Sequence, residues 1–472
     1  MSSSVQQLVE PRSQVPTAGR ASEFILASVI GLGTAAVYTA FSLRQWTRFE
    51  SPSWDLGIFT QLAKAYSTLS APIVPIKGDQ FNLLGDHFHP LLVLLGPIYA
   101  AFPSGLTLLV VQNVLFGLTV AIVTHAAIRR IGTPAGASIG IALGLSWGLQ
   151  TAVESQFHEI AFAMPLLAIA LWSFLSGRWT AAALWAAPMV FVKEDLGVTV
   201  AVFGILIALR ARWPGGVWLA VWGILWTLLS VVVILPAMNA SGSYAYGFGG
   251  GGSDPASFFS GLFAFEKFET LALLALICVG LAVWSPLALL ALPTLAWRML
   301  SGNENYWGTA WHYSAILMPV IFAAAVDGVT RLREHRRVWL RTYARLAPFV
   351  ALVVAVLLIP AFPLRALSDV PPFEPSSREA ATRQVLSLIP EGSSVETDIT
   401  LMAYLVPDNT VFWWGNLDNP PPDYIALDTR SGSWSEDFQR ASASAFAERQ
   451  YPGVAYADIY LSDGYQVAKR LR

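Results

Sequence analysis

The chain has 472 residues, 55% of them hydrophobic and only 13% charged, with a formal net charge of −2 and a mean hydropathy of +0.54. A soluble domain carries roughly a quarter charged residues, so this composition excludes an ordinary soluble enzyme and reads as a multi-pass membrane protein. The near-zero charge offers no basic surface for nucleic acid, and the single cysteine, Cys278, excludes an intrachain disulfide or a zinc–cysteine site.

Residues 1–23 form a polar tail with Arg12 and Arg20. Phe24–Leu43 is uncharged and long enough to cross a bilayer as a helix. No small-residue cleavage site follows a short apolar core, so this run reads as a retained span rather than a signal peptide. The first loop, 44–103, holds R-F-E-S-P-S-W-D-L-G-I-F-T-Q and then G-D-Q-F-N-L-L-G-D-H-F-H-P. Asp55–Leu69 reads as an interfacial helix, and Pro90–Phe102 as a second helix lying on the membrane surface.

Further predicted spans are Leu106–Ala127, Ala135–Val153, Ile160–Leu175, Ala181–Val192, Leu196–Leu209, Val217–Leu235, Leu271–Trp284, Leu287–Met299, Ser314–Val326 and Leu346–Phe362. That makes about eleven spans. Ala181–Val192 and Leu196–Leu209 are short, and read equally as two helices meeting at Lys193, Glu194 and Asp195 inside protein. Many of the 18 tryptophans, among them Trp46, Trp54, Trp179, Trp213, Trp284 and Trp307, sit near run ends, as in an interfacial belt or as packing residues.

Arg129, Arg130, Arg178, Arg210, Arg212 and the Arg331–Arg345 cluster fall in alternate loops. Excess Lys and Arg marks the cytoplasmic side. The N-terminus is then cytoplasmic, and the loops holding Asp55, His87, His89, Glu154, His158, Lys193, Ser241–Glu269 and Asn303–His312 face outward. Arg44 and Arg48 run mildly against the rule. The glycine-rich G-F-G-G-G-G-S-D-P lacks the Lys and Ser/Thr of a phosphate-binding loop and reads as a linker or lid.

Beyond Phe362 acidic residues outnumber basic ones, and prolines cluster at Pro371, Pro372 and Pro420–Pro422. Ser376–Leu388 is predicted helical, and Ser394–Thr397, Thr410–Trp414 and Tyr424–Asp428 are predicted strands. The division predicted is a cytoplasmic tail (1–23), a transmembrane domain (24–362) and an extracytoplasmic α/β domain (363–472).

Charged groups beside membrane helices are expensive and mark function or obligatory pairing. The predicted outer side carries five such patches: Trp54 with Asp55; Asp86, His87 and His89; Glu154, His158 and Glu159; Lys193, Glu194 and Asp195; and Asn303–Tyr306 with His312 and Tyr313. One shared cavity explains them economically. Glu154 and His158, four residues apart, are expected on one helical face. A carboxylate such as Asp55 can take a proton from an acceptor hydroxyl. Lys193, His87, His89 and His312 are candidates for holding a leaving phosphate. Each patch also has a structural reading. Asp55 can sit at a helix start for the dipole, D-H-x-H can hydrogen-bond or ligate a metal, K-E-D can neutralise itself, and His312–Tyr313 can pack. No metal or other cofactor is assigned.

W-D-L-G-I-F-T-Q, G-D-H-F-H-P-L-L, P-I-Y-A-A-F-P, V-V-Q-N, S-Q-F-H-E, V-K-E-D, V-P-D-N-T-V-F-W-W and P-P-D-Y-I-A-L-D together resemble a bacterial and archaeal family of predicted membrane proteins. That family carries a domain-of-unknown-function label and is grouped with the GT-C membrane glycosyltransferases. The resemblance runs from about Trp54 to Asp428 and implies a GT-C-like helical fold of the plasma membrane. It also implies transfer of a sugar from a polyprenyl-phosphate donor to an envelope glycan, lipid or protein, and it maps the catalytic base onto Asp55. Many relatives pair two acids in this loop; here the neighbour is Trp54, so a second carboxylate would come from Glu50 or Asp86. A flippase of lipid-linked saccharides and a non-catalytic envelope assembly protein are the competing readings.

Overall fold

The computed structural model describes residues 17–51, 54–244, 246, 263–369, 378–431 and 442–471. The glycine-rich core of the 241–269 loop, Pro371, Pro372 and the predicted helix start at Ser376 lie outside them.

The molecule is a helical membrane bundle carrying a small sheet domain. Among the described residues six helices are long and apolar enough to cross a membrane: Arg20–Thr47, Gly105–Ile131, Thr133–Glu154, Pro214–Met238, His312–Arg333 and Val338–Ala361. Five shorter apolar helices, Pro90–Ala101, Ile160–Leu175, Trp179–Phe191, Leu196–Ala211 and Pro286–Leu300, join them. Gly105–Ile131 is central, packing on Thr17–Thr47, Thr133–Gly144, Ile160–Leu175 and Leu317–Arg333. Its contact with the first helix depends on two glycines. A Cβ on Gly31 would lie 2.4 Å from the Gly117 carbonyl oxygen, and one on Gly117 2.6 Å from that of Gly31. Small residues at a crossing let helix backbones approach where lipid supplies no hydrophobic drive.

Two predicted spans are locally irregular. Ala135–Val153 lies within Thr133–Glu154, whose two helical segments, Thr133–Gly144 and Trp147–Glu154, meet at a local irregularity at Leu145 and Ser146. Leu271–Trp284 becomes the helix Phe265–Ile277 and a 3-10 turn at Leu281–Trp284. Val279 and Gly280, at φ 53° and 71°, end the helix in left-handed backbone. Predicted helix Ala181–Val192 is the short Trp179–Ala186 with a 3-10 extension to Phe191, and Lys193–Asp195 bridges it to Leu196–Ala211.

Among the described residues the C-terminal sheet has five strands in the order β2-β1-β3-β5-β4: β1 Ser394–Thr397, β2 Thr410–Trp413, β3 Tyr424–Asp428, β4 Tyr456–Ser462 and β5 Tyr465–Arg470. β1 pairs parallel with β2 and β3, and β5 pairs antiparallel with β3 and β4. The β4–β5 hairpin is absent from the sequence reading. Its turn is Asp463-Gly464 at φ 56° and 85°, the Asp-Gly pair that a tight hairpin favours. Successive residues of β3 face opposite ways. Tyr424 and Ala426 join the core continuous with the bundle; Ile425 and Leu427 join a separate cluster with Phe446 and Tyr451.

Candidate functional site

Asp55 lies in the first turn of the helix Trp54–Ser67, whose Leu56–Ala63 stretch is buried. Its side chain is 45% exposed, and its Oδ2 lies 3.2 Å from Nε2 of His158, which is only 4% exposed. His158 hangs from a segment shaped by two features. The helix Trp147–Glu154 ends there, and Gln156 adopts φ 71°. From the central helix, Gln112 then clamps the turn: its Oε1 accepts the His158 amide at 3.0 Å and its Nε2 donates to the Gln156 carbonyl at 2.9 Å. The chain reversal separates Glu154 from His158, so the expected common helical face does not exist. Glu154 instead feels Arg365, and Glu159 faces the cluster.

His158 stacks on His312, ring centroids 3.4 Å apart. His312 starts the 3-10 turn before Leu317–Arg333 and is held against Tyr313, which packs on Tyr306 and Trp297. This loop is pinned by buried Arg298, which donates to the carbonyls of Tyr306 and Gly308 and to Ser314 Oγ.

The K-E-D triplet separates its three side chains. Lys193 Nζ lies 2.7 Å from Glu159 Oε1. Burial works against charge on both, but mutual attraction outweighs it: Lys193 is held above the ordinary lysine value and Glu159 well below the usual carboxylate range. Glu194 turns to the first loop, where its Oε1 meets His87 Nδ1 at 2.8 Å and its Oε2 accepts the Phe88 amide at 3.0 Å. Burial resists charge here too, yet His87 brings Glu194 down to about 2, and Glu194 holds the imidazole above the ordinary histidine value. Tyr244 donates to the same Glu194 oxygen at 3.0 Å. Asp195 occupies the N-cap of Leu196–Ala211 without making the cap hydrogen bond, and burial raises its carboxyl to about 6.

The two histidines of D-H-F-H diverge. His87 joins Glu194 and stacks on Tyr246 at 4.4 Å. His89 is buried edge-on to Phe59, and burial lowers it to about 4. Asp86 pairs with Lys77 at 3.1 Å and accepts from Tyr246. Glu50 is bound by Arg44 and Arg48. Neither carboxylate pairs with Asp55, whose partner is an imidazole. Among the described residues no group of three His, Cys, Asp or Glu side chains is disposed to hold a metal ion.

The structure therefore joins Asp55, His158, His312 and Tyr313 in one chain of contacts, and His87, Glu194, Lys193 and Glu159 in two buried ion pairs beside it. The pairs are coupled through space, since His87 and His158 both act on Glu159. Tyr306 adjoins through Tyr313, and Trp54 packs edge-on against Trp413 of the sheet domain at 4.5 Å. Sequence reasoning named Glu159 only as a member of the Glu154–His158 patch, without a role, and did not assign Gln112, Tyr244, Tyr246 or Arg298. For Gln112 a signal existed: an amide side chain inside an apolar span needs a polar partner.

The chain belongs to the family described as predicted membrane protein DUF2079, whose model matches residues 45–461. Among solved structures it is similar to ArnT from Cupriavidus metallidurans in the apo state, at 12% identity and TM-score 0.53, over 93% of this chain and 98% of that one. It is likewise similar to the same ArnT bound to undecaprenyl phosphate, at 13% identity and TM-score 0.51, over 93% and 97%. The Archaeoglobus fulgidus oligosaccharyltransferase complex with Zn and sulfate aligns at 13% identity and TM-score 0.44, over 92% of this chain and 72% of that one. No curated protein matches the sequence. The fold is GT-C-like, shared with ArnT.

Proposed function

We propose that this DUF2079 member transfers a sugar from a polyprenyl-phosphate-linked donor to a cell-envelope glycan, lipid or protein on the outer face of the plasma membrane, with Asp55 as general base. The observation that carries the reading is a half-exposed carboxylate on a GT-C fold, set at the edge of a buried network of imidazoles and ion pairs. The acceptor oxygen bonds to the sugar's anomeric carbon and gives its proton to Asp55. The bond from that carbon to the phosphate oxygen breaks, and its electrons leave with the phosphate. Lys193, His87 and His312 supply polar groups beside this point, with Trp54, His89, Glu194, Asp195 and Tyr306 in the surrounding wall. Because Lys193 and His87 are already paired with carboxylates, the leaving phosphate meets N–H donors rather than free net charge, and charge-assisted hydrogen bonds still stabilise it as charge develops.

Loop charge supports a cytoplasmic N-terminus, residues 24–362 as the membrane domain and 363–472 as an extracytoplasmic domain. The test uses the purified full chain in lipid nanodiscs, given a panel of radiolabelled polyprenyl-phosphate sugars and envelope acceptors. Label should pass to product, and Asp55→Asn should remain folded while losing roughly 10²–10⁴-fold in rate. Transfer by Asp55→Asn at the native rate removes Asp55 from the mechanism; label crossing the membrane without product identifies a flippase.

A further inference from the structure

The hydrogen-bond partners of His158 fix more than its position. Its Nδ1 lies 3.1 Å from the Gln156 carbonyl oxygen, and its Nε2 lies 3.2 Å from Asp55 Oδ2. A carbonyl oxygen has no hydrogen, so Nδ1 must be the donor there. A neutral imidazole with hydrogen on Nδ1 presents a lone pair at Nε2. A carboxylate oxygen also presents only lone pairs. The 3.2 Å contact between them is a hydrogen bond only if one further proton lies on the line joining Nε2 and Oδ2.

The surroundings hold the ring where that proton is shared. Gln112 binds the backbone on both sides of the turn, at the His158 amide and the Gln156 carbonyl. His312 stacks on one face of the imidazole, and Phe59 meets it edge-on at 6.5 Å. Of the charged groups nearby, Lys193 is spent on Glu159 at 2.7 Å and His87 on Glu194 at 2.8 Å, while Arg298 is held by the Tyr306 and Gly308 carbonyls. Asp55 has an alternative: in the first turn of its helix, its carboxylate lies in the favourable field of the helix N-terminus. The carboxylate is instead drawn toward His158.

We propose that His158 is a positioning residue for Asp55: the proton held between Nε2 and Oδ2 keeps the carboxylate away from its own helix and leaves Oδ1 as the edge that receives the acceptor hydroxyl. This rests on the proposed transfer reaction for its purpose, though not for its geometry. In the transfer step the proton from the acceptor passes to Oδ1, while the bridging proton stays with the pair. No group other than donor and acceptor is consumed.

The test begins without turnover. In full-chain protein in nanodiscs, carrying ¹⁵N-labelled histidine, the His158 ring signals are assigned by their loss in His158→Gln. In the wild type both ring nitrogens should report hydrogen-bonded protons, and Asp55→Asn should move the Nε2 signal while leaving Nδ1 in place. An Nε2 signal indifferent to Asp55→Asn, or an Nδ1 without a proton, overturns the proposal. Where transfer is measurable, His158→Ala should lower kcat roughly 10²-fold with the donor KM nearly unchanged, as misplacing a catalytic group does. Added imidazole should restore part of that loss. A loss that imidazole leaves untouched, or one expressed only in KM, also counts against a positioning role. If no sugar is transferred at all, the functional reading fails while the ring signals still decide the pairing.

Discussion

Breaking the Lys193–Glu159 pair is the sharpest probe of the buried network. The two ions are 2.7 Å apart, and their side chains are 16% and 3% exposed. At an effective dielectric of about 20, their bare attraction is about 6 kcal/mol. Desolvation of both ions offsets much of that, so the pair's net contribution is small, while removing one partner strands the other. Lys193→Met should therefore destabilise the protein by about 3–5 kcal/mol. Lys193→Met with Glu159→Gln should cost less than the sum of the single changes, giving an interaction energy of roughly 1–3 kcal/mol. The pH dependence has a definite sign. In the wild type Glu159 is held below its ordinary value, so the pair's stabilisation is present above the unfolded carboxyl value and fades only in acid. In Lys193→Met the stranded carboxylate is pushed upward by burial and protonates readily, so the loss should be larger at pH 8 than at pH 5.5. Unfolding in mixed micelles by increasing SDS, followed by tryptophan fluorescence, reads both effects. Strict additivity, or equal losses at the two pH values, would refute the pairing.

Asp195 should behave oppositely. Its folded-state value of about 6 lies above the unfolded value of about 3.9, so the folded chain holds the extra proton between those limits and loses stability as pH rises through that window. Asp195→Asn should then gain about 1–3 kcal/mol at pH 7 and little at pH 4 in the same unfolding assay. Gly85→Ala should cost about 1–3 kcal/mol by overpacking, because its Cβ would lie 2.5 Å from the Met238 carbonyl oxygen and 2.7 Å from the Asn239 nitrogen. Gly33→Ala, with nothing within 4 Å, is the neutral control.

Long uncharged runs made most of the membrane helices legible, because lipid forces every backbone polar group into a helix. Phe24–Leu43 grew at both ends to Thr17–Thr47, and Ile160–Leu175 kept its bounds. The bridge at Lys193–Asp195 was visible for the same reason, as charge between two runs too short to span. Failures came where one left-handed residue overrode periodicity. The spacing of Glu154 and His158 implies a shared face only if the helix continues, and Gln156 stops it. The partner of Lys193 was hidden because neighbours in sequence point apart; its counter-ion comes from Glu159, beyond an entire helix pair. The β4–β5 hairpin lacked a clean alternation, since β4 has only Tyr456 buried and leaves Ile459 and Leu461 exposed. Its Asp-Gly turn was the available signal.

The sheet domain contributes directly to the geometry around Asp55. Lys64, nine residues further along the same helix, donates to the carbonyls of Val406 and Asn409 at 2.8 and 3.0 Å. Gln61 donates to Val411 and accepts from Ile76, while Asn416 donates to Ile76, tying helix, loop and β2 together. Gly57 is close against Met402, where a Cβ would lie 3.0 Å from the methionine Cβ. Trp54 closes the same seam on Trp413. The helix is thus fixed along its length by the C-terminal domain and at its start by His158 from the bundle. Two bodies determine where one carboxylate points, and a shift of about 1 Å at such a group is enough to cost orders of magnitude in rate. Under the proposed function the sheet domain is therefore part of the apparatus that aims Asp55.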